Sequence, residues 1–262
     1  MLARLGIVII AVVLTFGWPG GDVFDAQPQA ATAAPATWQL TSPMTIPRVF
    51  QSVFATDRGG GTGYLYAVAG QNTGFPQSTE RALIGTSGCL GPWEIVANAD
   101  LPDVRRLTNA VTVGHFAYLV GGWNASSALG TTLRAEIDST GALVGGGSPW
   151  TQMAAFLGQR RYAHAVASAT LGQRRFLYVV GGAYESIPSG TSLRSIEKAE
   201  INVADGSLGD WGPAGADLPE PFGLSSAQAY VAGGYLYVFG GLSGNGPLTN
   251  AVQRAALDPV DG

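Results

Sequence analysis

The sequence predicts an all-β chain of four repeats, each a blade of four short antiparallel strands. Three observations carry that reading. A strand of aromatic and β-branched residues closed by glycine is written four times: Tyr64 to Gly70 (with Ala69 for the first glycine), Phe116 to Gly122, Phe176 to Gly182 and Tyr235 to Gly241. The closing glycines lie 52, 60 and 59 residues apart, a period that marks a repeat array. A tryptophan (Trp93, Trp150 or Trp211) follows each of the first three copies.

The N-terminus stands apart from the repeats. Met1 to Arg4 carries one positive side chain, and Leu5 to Phe16 follows as an almost wholly apolar run. That is the length of a signal-peptide core and short of the ~20 residues a spanning helix needs. Residues 1–21 are therefore expected to export the chain, as a cleaved signal or an uncleaved N-terminal anchor, and the membrane is expected to matter only there. Residues 22–37, rich in Ala, Pro, Thr and Gln without periodicity, read as a linker. The blades are expected over 38–262, at about 47–93, 105–150, 160–211 and 221–262.

Within each repeat, strand a is expected where a proline or arginine opens a short run: Pro47 to Phe50, Arg105 to Thr108, Arg160 to Ala163 and Pro221 to Leu224. Strand b is the glycine-closed run, ending at Gly70, Gly121-Gly122, Gly181-Gly182 and Gly240-Gly241. Strand c has a basic-Ala-x-aliphatic core: Arg81 to Ile84, Arg134 to Ile137, Lys198 to Ile201 and Arg254 to Leu257. Strand d carries Trp93, Trp150 or Trp211, and Asp205-Gly206 supplies a tight c–d turn in the third repeat. Four such strands per repeat describe a propeller blade; a β-sandwich is the alternative.

These residues resemble the kelch-repeat β-propellers, a family of the galactose oxidase-like propeller class. The resemblance rests on the glycine pair after strand b, the aromatic residue before it, the downstream tryptophan and the linker Leu101 to Arg105. It implies a kelch-type β-propeller with about four blades present. It also implies an incomplete one, because such propellers usually have six or seven blades. Trp38 opens a second possibility, that it supplies strand d to the fourth repeat and closes a four-bladed ring. An incomplete arc would expose two blade faces and is expected to self-associate.

Catalytic chemistry is sparsely represented. The chain has two histidines and one cysteine, so no intrachain disulfide can form and no metal or cofactor is expected. His115 reads as a surface-turn histidine and His164 as a packed one. Cys89 sits at a c–d turn, and nothing matches the copper site of galactose oxidase. The run Gly59-Gly60-Gly61-Thr62-Gly63 joins two strands and opens no helix, so it reads as a hairpin rather than a phosphate loop. A net charge of −4 with a single lysine, Lys198, offers no surface for nucleic acid.

The loops remain. In such a blade the b–c and d–a connections share one face. Asn72, Phe75, Trp123, Asn124, Tyr184, Glu185 and Asn245 lie in the b–c loops, where rings beside amides suit recognition of a glycan or protein. Packing of Trp123 and Tyr184 against neighbouring loops is the alternative. Arg48, Arg106 and Arg161, at the start of strand a, could ring an anionic ligand or brace the adjoining loops. The expected function is an exported module that binds a protein or glycan. The alternative is the propeller portion of a carbohydrate-active enzyme whose paired carboxylates lie in further blades.

Overall fold

A computed structural model describes residues 40–59, 61–145, 147–185, 191–219, 221–244 and 246–262. The expected signal, linker and Trp38 strand, and Asn245, lie outside the described residues.

The described chain is all-β. Blade one is a sheet of β1 (Ser52–Gly59), β2 (Thr62–Val68), β3 (Glu80–Ile84) and β4 (Leu90–Ile95), hydrogen-bonded in that order. Blade two repeats the order with β5 (Asn109–Val113), β6 (Phe116–Val120), β7 (Thr132–Glu136) and β8 (Thr151–Gln152). Blade three does so with β9 (Ala165–Leu171), β10 (Arg174–Val180), β11 (Ile196–Ile201) and β12 (Gly212–Pro213). The fourth blade begins with a short ribbon in which β13 (Leu224–Ser225) pairs with β16 (Leu242–Ser243). Its sheet is β14 (Gln228–Ala232), β15 (Tyr235–Phe239) and β17 (Val252–Ala256). All pairings are antiparallel.

Burial follows position in the series. In blades two and three every residue of the stretches Phe116 to Val120 and Phe176 to Val180 is buried, because a neighbouring blade covers each face. In β1 and β15 burial alternates, so blades one and four each turn a face outward, with Val53 on the first and Tyr230 and Phe239 on the last exposed. The innermost strands pack in sequence, β1 on β5, β5 on β9 and β9 on β14, whereas β14 and β1 do not pack as neighbours. The described residues form an arc, not a closed ring.

The structure corrects the sequence reading of strand a. The segments opened by proline or arginine are not the inner strands but the bends before them, and β1, β5, β9 and β14 start one to four residues after those segments end. The cause is a left-handed residue, Phe50, Leu107, Ala163 or Ser226, with φ between 50° and 57°, which turns the chain into the inner strand. These four residues also link the blades. Leu107 N–H donates to Phe50 C=O, Ala163 N–H to Leu107 C=O and Ser226 N–H to Ala163 C=O, at 3.1, 2.8 and 2.7 Å. The glycine pairs serve the same seam: Gly122 N–H donates to Arg161 C=O at 2.9 Å, and a Cβ on Gly121 would stand 2.6 Å from that carbonyl. Trp93 lies in β4, while Trp150 and Trp211 immediately precede β8 and β12.

Candidate loop-face site

The bends before the inner strands surround a cavity of about 180 Å³, lined by Phe50, Gln51, Asn109, His164, Ser226 and Gln228. All four blades contribute to it. The b–c loops of the first three blades begin beside these bends, where Gln71, Trp123 and Ala183 bridge to Val49, Arg106 and Tyr162, and the residues expected from sequence can be placed one by one.

Arg48 and Arg161 are braces. Both guanidinium groups are fully buried. Arg161 Nη1 donates to the carbonyls of Gly181 and Ser195 at 2.7 and 3.1 Å, while Nη2 donates to Ser195 Oγ and the Glu197 carboxylate. Glu197 in turn accepts from the N–H groups of Gly158 and Gln159, 2.6 and 3.1 Å away, and so ties the preceding linker to strand c. Arg48 repeats the arrangement with Ala69, Ser78 and Glu80, whose carboxylate accepts from Thr45 and Ile46 N–H. In blade two the equivalent arginine is Arg105, which donates to Gly121 C=O and pairs with Asp103. Arg106 is therefore one residue out of register with Arg48 and Arg161, and the three do not form a ring. In blade four Leu224 holds the position.

Arg106 instead faces the loops. Its Nη1 donates to Gln71 Oε1, and its guanidinium lies 5.7 Å from the Phe75 ring centroid and 6.0 Å from that of Phe50. Phe50 is 51% exposed. Arg106 also bridges Trp123 through the backbone. Trp123 is buried, set edge-on against Tyr162 with centroids 5.1 Å apart, so the packing alternative describes it. Burial raises the Tyr162 pKa, opposed by the Arg106 charge and reinforced by that of Glu185.

The amides are partly spent on their own turns. Asn72 Oδ1 accepts from Gly74 N–H at 2.8 Å, and Asn124 Oδ1 accepts from the N–H groups of Ser126 and Ser127 at 3.2 and 2.9 Å. Glu185 is exposed and accepts from Thr191 Oγ1 at 2.9 Å; Tyr184 is half-buried. Phe75 is one of the b–c loop residues expected from sequence, whereas Phe50 and Tyr162 were not read from it as site residues. Nor were Glu80 and Glu197, although both stand immediately before the basic-Ala pair of strand c. No group of His, Cys, Asp and Glu that could hold a metal occurs among the described residues.

His164 is buried on the cavity wall, and neither ring nitrogen makes a well-formed hydrogen bond. Burial, with the Arg161 charge second, pushes its pKa down to about 3, against a smaller upward pull from Val120 C=O. The unfolded chain takes up this proton first, near pH 6.5. Stability is thus full above about 6.5 and falls toward pH 3, with a loss of about 2 kcal/mol at pH 5. Urea titrations at pH 7 and 5 on wild type and His164→Gln check this. The variant should lose most of the difference; an equal pH dependence would remove His164 as its source.

No family model matches the chain, and no curated protein matches it.

Proposed function

We propose that the chain is an exported, kelch-like propeller module that binds a protein or glycan through the face carrying its b–c and d–a loops. The observation behind this reading is the Arg106 cluster. An exposed ring, Phe50, lies beside the Arg106 guanidinium, which also approaches the half-buried Phe75, and Phe50 lines a cavity to which every blade contributes. Flat apolar area with fixed polar groups at its edge is what a sugar face or an aromatic peptide side chain requires. Export rests on the apolar run Leu5 to Phe16, and the kelch assignment on the glycine pairs and tryptophans.

A glycan microarray and a phage-displayed peptide library, screened with the 262-residue chain, test the reading. Ligands of this face should bind Phe50→Ala and Arg106→Ala about tenfold more weakly. The melting temperature of Phe50→Ala should stay within about 2 °C, because a half-exposed surface residue contributes little to stability. Ligands indifferent to both substitutions would overturn the assignment of this face.

A further inference from the structure

The b–c loop of blade two is closed at its base and open at its tip. Trp123 bridges Ala128, and both are buried. Asn124 N–H donates to Ser127 C=O at 3.1 Å. At the tip Ala125 has φ 78°, a left-handed turn that leaves Ala125 and Ser126 in solvent. The blade that carries this loop and the blade it packs on, through Trp123 and Tyr162, both have all four strands. The exposure of the tip is therefore the loop's own.

The turn orients the Asn124 amide. Its Oδ1 accepts from the N–H groups of Ser126 and Ser127 at 3.2 and 2.9 Å, and from their hydroxyls at 3.0 and 3.3 Å. A backbone N–H can be met only by the amide oxygen, so the oxygen is the inward atom and Nδ2 the outward one. Asn124 Nδ2 donates no hydrogen bond among the described residues and keeps contact with solvent. The side chain thus offers a held carbonyl and a free amide nitrogen.

The residues around that nitrogen spell an acceptor sequence. Asn124-Ala125-Ser126 is Asn-x-Ser with x other than proline, and no other asparagine of the chain has serine or threonine two residues on. The Ser126 hydroxyl, the second half of the motif, is already paired with the Asn124 carbonyl.

We infer that Asn124 is a modification site, the acceptor of an N-linked glycan. The inference rests on the proposed export of the chain, since this modification belongs to secreted proteins. The donor is an oligosaccharide carried on a lipid diphosphate, and a transferase brings the two together. Asn124 Nδ2 attacks the anomeric carbon and a C–N bond forms. The bond from that carbon to the diphosphate oxygen breaks, the lipid diphosphate leaves with the electron pair, and a base of the transferase takes the Nδ2 proton. The glycan would stand beside the Arg106 bend, to which Trp123 pairs, and outside the lining of the central cavity.

The test expresses the 262-residue chain in cells that transfer lipid-linked oligosaccharides to secreted proteins, once with its own N-terminus and once behind a proven secretion signal. Both should migrate as a heavier band that peptide:N-glycosidase F returns to the unmodified position. Digestion in heavy-oxygen water should leave a labelled aspartate at position 124 of the tryptic peptide 107–134. Asn124→Gln and Ser126→Ala should abolish the heavier band, whereas Ser126→Thr, which keeps the hydroxyl, should retain it. If only the chain behind the proven signal is modified, export by residues 1–21 fails and the glycan site stands. A chain secreted behind the proven signal without an enzyme-sensitive band overturns the inference, and so does a band that survives Asn124→Gln.

Discussion

Glu197→Ala is expected to destabilise the chain by about 3–5 kcal/mol, because it removes one partner of a buried ion pair. The Arg161 guanidinium is fully buried and the Glu197 carboxylate nearly so. Burial lowers the Arg161 pKa and the Glu197 charge raises it, so truncation leaves a desolvated cation. It also leaves Gly158 and Gln159 N–H without their acceptor. Removing both partners should cost much less. The chain supplies its own precedent, since blade four has Leu224 in the position of Arg161 and Gln253 in that of Glu197. Arg161→Leu combined with Glu197→Leu should therefore recover at least half of the loss. As a control, Glu200→Ala removes a half-exposed partner of Arg174, a solvent-screened pair, and should cost far less than Glu197→Ala. Urea denaturation of the four proteins decides the matter. A Glu197→Ala cost as small as that of Glu200→Ala would mean that the brace does not hold the linker.

Much of this architecture can be read from the sequence because its repeated marks have a single physical cause. The glycine pairs recur because a Cβ at Gly121 or Gly182 would collide with a carbonyl of the adjoining bend. The strand-c alanines of the first three blades recur because an indole lies opposite: Ala82 faces Trp93, and the register puts Ala135 opposite Trp150 and Ala199 opposite Trp211. The proline and arginine marks misled, since they belong to the bends. The left-handed turn that separates bend from strand falls on Phe50, Leu107, Ala163 and Ser226, residue types that do not announce positive φ. Arg105-Arg106 shows the limit of pattern reading most directly. Either arginine fits the period, and only the hydrogen bond from Arg105 to Gly121 C=O shows which one is the brace. Phe75 and Arg106 are legible as loop residues, but their cluster with Phe50 is not, because the three come from two blades and meet only in three dimensions.

Trp150→Ala should be the most damaging of the tryptophan truncations in blades one and two, at about 3–5 kcal/mol. Its ring is buried in the cleft between those blades, edge-on to Phe54 with centroids 6.0 Å apart. Its Nε1 donates to Thr79 Oγ1 of the preceding blade at 3.0 Å. Truncation therefore opens a cavity at one seam and removes the donor to Thr79 Oγ1, which keeps its own bond to Ala99 C=O at 2.6 Å. Trp93 is the comparison: it is only half-buried and its Nε1 donates to Ser42 C=O on the outer edge of blade one. Trp93→Ala should accordingly cost about half as much or less. Because each blade touches only its neighbours, the loss at the Trp150 seam should also be local. Amide exchange in β1–β4 should accelerate before exchange in β9–β11, and the unfolding transition should be broader than that of the wild type or split. Equal costs for the two tryptophans, or uniform acceleration across all blades, would mean that Trp150 does not couple blade one to blade two.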